Sequence, residues 1–199
     1  MEYIAHLSAD ARMRKLIERT GPLKVVRRRN VFLYLCRSVI AQQLSTKVAA
    51  IIEDRFLSLT GESMNTEDVL RISASELRAI GLSATKADYI LNIARYFSDL
   101  ELTDQSFHGL DNESVIDLLT PIKGVGRWTA EMTLMFSLGR EDVFSPDDYG
   151  IQQSMISVYG LKGFDKKPLR EKMLKISERW VPYRTYACLH LWRARDTSK

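Results

Sequence analysis

Apolar residues recur every three or four positions along almost the whole chain, and this spacing limits the fold to packed helices. A strand would instead alternate apolar and polar residues. Two stretches show the helical spacing clearly: Leu33, Cys36, Val39 and Ile40, and then Val48, Ile51, Ile52 and Phe56. The sequence therefore predicts an all-α protein.

The positions of these repeats and of the residues that interrupt them give the predicted helices. They cover about 9–19, 30–43, 45–59, 66–71, 74–79, 83–98, 112–119, 127–138, 147–159, 168–178 and 182–195. Gly81 and Gly139 stand where two of these helices should end, because glycine readily adopts the left-handed conformation that follows many helices.

Chain length and composition suffice for one globular unit. The 199 residues, 45% of them hydrophobic, can bury a sizeable core. No repeat of solenoid length and no Pro/Ser-rich linker divides them. We predict a single unit over residues 1–199 with two helical lobes around a cleft: a central lobe over residues 30–120, and a lobe that combines residues 1–29 with residues 121–199.

Charge permits a nucleic-acid partner without demanding one. The net charge is +4, from 29 basic and 25 acidic residues. Basic side chains collect just before the first strongly apolar helix and near the C-terminus: Lys24, Arg27, Arg28, Arg29, Arg193 and Arg195. Such runs are most often solvated faces, and contact with phosphate is the alternative.

Residues 119–126 read Leu-Thr-Pro-Ile-Lys-Gly-Val-Gly and lead into an amphipathic helix that begins at Arg127. Gly124 and Gly126 can adopt backbone angles closed to other residues and can let the main chain approach a bulky anion. Because the free N–H groups and the positive dipole end of the helix would face the same point, the segment can hold a phosphate regardless of base sequence. An ordinary turn is the alternative. The P-loop and dinucleotide-binding glycine motifs are absent, which disfavours nucleotide binding of the usual kinds.

A pair of carboxylates stands at the start of another predicted helix, in Ser145-Pro146-Asp147-Asp148. On local pattern alone this is a helix start, with Ser145 as the N-cap, Pro146 at the first helical position and an acidic residue three positions after the serine. About 20 residues separate these carboxylates from the glycine-containing turn at residues 119–126, which is enough for one helix and a return loop. A carboxylate at this place would be held close to the phosphate backbone that the turn binds.

Three parts of the chain resemble the helix-hairpin-helix superfamily of DNA repair glycosylases, and the resemblance extends over most of residues 30–195. They are residues 119–126, residues 37–45 with 77–83 and Lys86-Ala87, and Phe144-Ser145-Pro146-Asp147-Asp148-Tyr149. The second set is typical of the 3-methyladenine (alkylbase) branch. The resemblance implies the all-α helix-hairpin-helix glycosylase fold, without the β-domain that some members carry.

In that family the hairpin binds a DNA phosphate, and by position this role falls to Lys123, Gly124, Val125, Gly126 and Arg127. Turn carbonyls can also hold a monovalent cation, and the matching ones belong to Thr120, Ile122 and Val125.

A wedge fills the gap that an extruded base leaves in the duplex. The family's wedge position matches Gln43, with Leu44 beside it. The alternative is that Ser45 simply caps a helix and that Leu44 belongs to the core.

The family's essential aspartate matches Asp148. Breaking an N-glycosidic bond develops positive charge on the sugar, and an ionised carboxylate in a water-poor cleft would stabilise that charge. It would also orient or deprotonate the attacking water. The neighbouring Asp147 is interpreted as structural, as a cap or a charge at the helix N-terminus.

Trp128 stands where bifunctional members such as endonuclease III carry the lysine that forms a Schiff base. Without that amine, we predict a monofunctional enzyme. Trp128, Trp192 and Met132 match base-pocket positions, and the electron-rich face of tryptophan suits a base made cationic by methylation. Met132 replaces the tyrosine of the bacterial inducible members, which favours a broader or weaker pocket. Core packing is the alternative for both tryptophans, and His190 is predicted to pack between helices rather than to act as a base.

We expect no iron–sulfur cluster, no zinc and no other cofactor beyond the cation at the hairpin. Cys36 and Cys188 are predicted to be buried free thiols in a reducing compartment, too few for the four-cysteine cluster of several relatives. The histidines and cysteines form no zinc motif. With no membrane-length apolar run and no signal-peptide core, we expect a soluble intracellular protein of the cytoplasm and nucleoid or of the nucleus, without a membrane partner.

The leading hypothesis is a monofunctional DNA glycosylase of the 3-methyladenine type, a hydrolase of N-glycosyl bonds in base excision repair. As a monomer on double-stranded DNA with a damaged base, it would flip out and release alkylated purines such as 3-methyladenine or 7-methylguanine, leaving an abasic site. One alternative is a non-catalytic homologue that binds damaged DNA. Another is a glycosylase for ethenoadenine or hypoxanthine, whose neutral leaving groups need an acid that the sequence does not reveal.

Overall fold

The computed structural model describes residues 1–28, 30–60 and 64–196, and these residues form α-helices joined by short loops, with no β-strand. Two single 3₁₀ turns lie at Asp104–Phe107 and Glu178–Trp180. The helices are α1 Glu2–Leu7, α2 Ala11–Thr20, α3 Val31–Ala41, α4 Thr46–Thr60, α5 Thr66–Leu70, α6 Ala74–Ala79, α7 Ala84–Asp99, α8 Asn112–Leu119, α9 Arg127–Phe136, α10 Tyr149–Tyr159, α11 Lys166–Ser177 and α12 Arg184–Asp196. The all-α prediction is confirmed. None of the described helices is both long and apolar enough to span a membrane.

Every predicted helix is present within a few residues of its expected ends. The short α1 was not predicted, because only Tyr3 and Leu7 are buried on it and two residues define no period. Arg29, a member of the predicted basic run, lies outside the described residues.

Contacts along the chain define two compact units. Unit 1 combines Met1–Arg27 with Leu134–Lys199, and unit 2 is Arg28–Thr133. The sequence analysis grouped residues 121–133 with the C-terminal lobe, whereas the contacts group them with unit 2. The difference has a local cause, since the hairpin rests on the ring of Tyr89 in α7, within unit 2.

Unit 2 is built around α3, which packs on α4 and α7. The start of α3 is fixed by two side chains. Asn30 accepts the Leu33 N–H at 2.9 Å, and Asp104 accepts the N–H groups of Asn30 and Val31 at 2.8 and 2.9 Å. Satisfying these donors stabilises the start of α3. The helix then continues to Ala41, where the loop to α4 follows.

Unit 1 is built around α12, which packs on α10 and α2. The Arg184 guanidinium at the start of α12 donates to both carboxylate oxygens of Asp142, at 2.6 and 2.9 Å. The Ser154 hydroxyl on α10 donates to the Leu191 carbonyl on α12 at 2.8 Å. The Ser154 bond fixes the register of α10 against α12, and the Asp142 pair ties the start of α12 to the loop before α10.

Cys36 and Cys188 are both buried and carry free thiols, as predicted. Burial raises the pKa of the Cys36 thiol far above its ordinary value. Because the thiolate is the reactive form, Cys36 is chemically inert in the folded protein.

His190 is fully buried in unit 1, as predicted. The Thr20 hydroxyl donates to the Leu16 carbonyl at 2.8 Å, so its oxygen accepts the Nδ1–H of His190 at 2.6 Å. Nε2 is buried and has no hydrogen-bond partner in the described part of the chain. Burial lowers the pKa of His190 from 6.5 to about 4, because a proton on Nε2 would be desolvated.

The free energy of unfolding should therefore fall as the pH is lowered from about 6.5 to about 4. The unfolded imidazole binds a proton near pH 6.5 and the folded one only near pH 4, so protonation favours the unfolded state by about 3 kcal/mol below this window. Urea unfolding at a series of pH values checks this. His190→Gln should remove this part of the pH dependence, and His6→Gln, at an exposed histidine, should retain it; equal slopes for the wild type and His190→Gln would contradict a buried neutral imidazole.

Candidate functional site

The predicted hairpin is a tight turn between α8 and α9, and one of its two glycines is required by the backbone. Gly124 has φ of +103°, which residues with a side chain rarely adopt. A Cβ on Gly124 would lie 2.4 Å from Cγ of Tyr89, whereas a Cβ on Gly126 would meet nothing within 4 Å. Gly126 has no positive φ, so of the two glycines only Gly124 uses this backbone freedom. What Gly126 provides is open space beside the helix start.

Main-chain donors lie at this helix start. The Gly126 carbonyl accepts the Ala130 N–H at 3.1 Å, which marks Gly126 as the residue before the first turn of α9. The first N–H groups of any α-helix have no acceptor one turn earlier in that helix, and α9 begins at Arg127. Lys123 and Gly126 are exposed. The hairpin can thus offer N–H groups and one lysine side chain to an anion.

The side chain of Arg127 is already engaged by carboxylates. Its guanidinium lies 2.6 Å from Glu113 and 3.1 Å from Glu131. The hydrogen bond that Arg127 donates to Glu113, followed by the charges of both glutamates, raises the pKa of Arg127. Its positive charge is compensated within unit 2, so Arg127 can serve an anion through its N–H rather than through its side chain.

The predicted cation ligands are main-chain carbonyls of the same turn. Thr120 is the C-cap of α8, and terminal carbonyls of a helix lack an intrahelical partner. The Ile122 carbonyl accepts the Val125 N–H at 2.9 Å and keeps a second lone pair. Neutral carbonyl oxygens can replace the hydration shell of a monovalent cation, so the donor chemistry of Thr120, Ile122 and Val125 fits one. Among the described residues, no three His, Cys, Asp or Glu side chains come together as a metal site.

A cavity of about 480 Å³ in unit 2 brings together several predicted site residues. It is lined by Tyr34, Ser38, Ala41, Gln42, Gln43, Trp128 and Met132. Trp128 is 46% exposed, so core packing, the alternative for this tryptophan, is wrong, whereas Met132 is buried. Sequence analysis missed Tyr34 and Ser38, although their spacing of four residues on α3 places them on one helix face.

The predicted wedge residues lie on the exposed loop between α3 and α4. Gln43 has φ of +58°, and both it and Leu44 are exposed. The Ser45 hydroxyl accepts the Val48 N–H at 3.4 Å, so Ser45 is a cap as expected. Leu44 is 37% exposed, so the alternative that it belongs to the core is wrong.

Asp148 is the N-cap of α10 and is half-buried. Its Oδ1 accepts the Ile151 N–H and the indole N–H of Trp192, each at 2.8 Å. The local pattern named Ser145 as the cap and Pro146 as the first helical residue, but the helix begins at Tyr149. Asp147 is not a cap and lies 3.4 Å from the guanidinium of Arg170. The helix start is therefore formed by the predicted catalytic aspartate itself.

Trp192 holds this aspartate through a tertiary contact. Its ring lies 5.8 Å from the ring of Phe136. Gly150 makes the approach of the indole possible, because a Cβ there would lie 3.0 Å from Trp192 Cδ1 and 3.1 Å from Asp148 Oδ1. Sequence analysis assigned Trp192 to a base pocket and missed both its bond to Asp148 and the need for Gly150. The carboxylate is thus fixed by a backbone donor and a side-chain donor.

Known proteins resemble this chain over most of its length. A family model described as HhH-GPD superfamily base excision DNA repair protein matches residues 36–182. DNA-3-methyladenine glycosylase 1 of Schizosaccharomyces pombe is 36% identical over 195 residues, which cover 94% of this chain and 84% of that protein.

Two solved structures also share the fold of this chain. A DNA-3-methyladenine glycosidase from Bacillus halodurans superposes with a TM-score of 0.84 at 37% identity, covering 95% of this chain and 86% of that one. The S. pombe 3-methyladenine DNA glycosylase Mag1, in complex with abasic DNA, gives a TM-score of 0.82 at 34% identity and covers 97% and 96% of the two chains. The chain described here belongs to the HhH-GPD superfamily of base excision DNA repair proteins.

Proposed function

We propose that this protein is a monofunctional DNA glycosylase that hydrolyses the N-glycosyl bond of alkylated purines in duplex DNA and leaves an abasic site. The observation that carries the proposal is the fixed carboxylate of Asp148, which accepts two hydrogen bonds of 2.8 Å on Oδ1. The names of the similar proteins, DNA-3-methyladenine glycosylases, support the alkylpurine class.

Asp148 acts on the sugar of the extruded nucleotide. Positive charge develops on the sugar as the bond to the base breaks, and a carboxylate already held in place stabilises that charge without reorganising. Its hydrogen bonds to Ile151 and Trp192 supply this preorganisation. The same carboxylate orients the attacking water, so the products are a free base and an abasic sugar.

The cavity beside Trp128 receives the base. The described residues that line it carry neither a carboxylate nor an ammonium group, so a methylated, cationic purine would be held by the aromatic faces of Trp128 and Tyr34 and by amide groups. A cationic base leaves readily and needs no general acid. Because Trp128 offers no amine for a Schiff base, the reaction ends at the abasic site.

The hairpin holds the duplex by its backbone. The N–H groups at the start of α9 and the Lys123 ammonium bind a phosphate without reading sequence. A monovalent cation on the carbonyls of Thr120, Ile122 and Val125 would add positive charge at that phosphate. Gln43, with Leu44 beside it, enters the space left by the extruded base.

A substrate panel on one duplex tests the proposal. Release of 3-methyladenine and 7-methylguanine should be far faster than release of hypoxanthine or ethenoadenine, because only the latter need protonation before they leave. Chromatography of the released bases under single-turnover conditions measures this. Faster release of the neutral bases would favour the second enzymatic hypothesis, and DNA binding without any release would favour a non-catalytic damage-binding protein.

Gly150→Ala should lower the single-turnover rate of base release about tenfold. The added Cβ would lie 3.0 Å from Trp192 Cδ1 and 3.1 Å from Asp148 Oδ1, so the indole or the carboxylate must shift. Gln153→Ala, at an exposed position of the same helix, is the matched control and should keep the wild-type rate. A wild-type rate for Gly150→Ala would show that the Trp192 contact does not matter for catalysis.

A further inference from the structure

Lys86, on the first turn of α7, binds the end of α3 rather than solvent. Its ammonium donates to the Ile40 carbonyl at 2.8 Å and to the Gln42 carbonyl at 2.6 Å. Gln42 is the C-cap of α3, so these oxygens belong to the terminal carbonyls that the helix leaves without partners. Desolvation lowers the pKa of Lys86, as expected for an ammonium turned toward the protein.

The loop that this lysine holds adopts an unfavourable backbone conformation. Gln43 follows Gln42 directly and has φ of +58°, a left-handed conformation that is unfavourable for a residue with a side chain. Such a conformation persists only where the surroundings fix it. Two charge-assisted hydrogen bonds on the preceding carbonyls supply that constraint.

The same face of α7 also supports the hairpin. Tyr89 lies three residues after Lys86, and its ring packs against the backbone of Gly124. The Gln42 side chain donates to the Gly124 carbonyl at 3.5 Å. Lys86 and Tyr89 therefore tie the Gln43 loop and the hairpin to one helix, within one unit.

We propose that Lys86 is a positioning residue that sets the Gln43 loop relative to the hairpin, so that the wedge enters the duplex in register with the bound phosphate. The inference rests on the proposed function of the hairpin and of Gln43. Lys86 would contribute to insertion of the wedge and not to the electrostatic attraction of DNA, because its ammonium already donates to two carbonyls of the protein.

A duplex with an abasic-site analogue next to 2-aminopurine tests this without any turnover, because 2-aminopurine fluorescence rises when the wedge disrupts stacking. At saturating protein, Lys86→Met should reduce the fluorescence rise severalfold. Affinity for undamaged duplex should stay within about threefold, and the salt dependence of that affinity should be unchanged. Lys86→Arg, which keeps the donors, should recover a large part of the signal. Lys47→Met, at an exposed lysine near the loop, is the matched control and should behave as wild type.

Two results would overturn the proposal. A full fluorescence rise with Lys86→Met would show that the loop does not need the lysine. A salt slope reduced by about one would show that Lys86 contacts a phosphate instead. A wild type that inserts its wedge but releases no base would refute the proposed function and leave this inference standing, so the two failures are distinguishable.

Discussion

Replacing Asp148 by asparagine is expected to reduce base release from alkylated DNA at least about 100-fold while leaving affinity for abasic-site DNA almost unchanged. The substitution removes the negative charge that stabilises the sugar in the transition state. It does not remove the cap, because asparagine is as good an N-cap as aspartate. Its amide oxygen can still accept the N–H groups of Ile151 and Trp192 that Oδ1 accepts now.

The matched control is Asp147→Asn. Asp147 is the neighbouring carboxylate, is exposed and pairs with Arg170 at 3.4 Å, so its loss should leave the rate of base release close to that of the wild type. Single-turnover base release, together with fluorescence anisotropy on abasic-site DNA, separates catalysis from binding. An Asp148→Asn enzyme with wild-type release, or an Asp147→Asn enzyme as inactive as it, would contradict the roles given to the two carboxylates.

Replacing Gly124 by alanine should weaken DNA binding by about 10-fold or more, for every duplex sequence alike. Alanine at φ of +103° is strained, and its Cβ would lie 2.4 Å from the Tyr89 ring. The turn must therefore shift, and with it the N–H groups at the start of α9. Each hydrogen bond to a charged phosphate contributes about 1.5–3 kcal/mol, so misplacing one of them is enough for the expected loss.

Gly126→Ala is the informative comparison. Its Cβ would meet no atom of the described protein within 4 Å, so the fold should be unaffected and any loss of affinity must come from contact with the DNA. Melting temperatures and anisotropy on three unrelated duplexes measure the two effects. Wild-type affinity for both variants would end the hairpin's assigned role, and a loss confined to one sequence would indicate base reading instead of phosphate binding.

The helices and the hairpin could be predicted because their signals are local. Apolar spacing predicts α3 and α4. The glycine pattern at residues 119–126 predicts a turn, and Gly124 has the positive φ that such a turn needs. Local rules failed at Asp148. The pattern Ser145-Pro146-Asp147 is a good helix start, yet the helix begins only at Tyr149, with Asp148 as its cap. The indole that completes this arrangement comes from 44 residues further along the chain.

Residues whose importance arises only from tertiary packing could not be identified from the sequence. Gly150 is an ordinary helical glycine until the Trp192 ring is placed against it. Lys86 belongs to a recognised family segment, but its bonds to the α3 carbonyls depend on how α7 packs on α3. Tyr34 likewise becomes a cavity residue only through the neighbours that complete the cavity.

Incubating the wild-type protein in excess with a methylated duplex tests the central claim most directly, when the free bases and the state of the DNA strand are measured in the same sample. We expect free 3-methyladenine and an intact strand that breaks only after alkali, with no protein–DNA adduct trapped by borohydride. No free base from a correctly folded, DNA-bound protein, or a strand cut without alkali and a trapped adduct, would contradict hydrolysis assisted by Asp148.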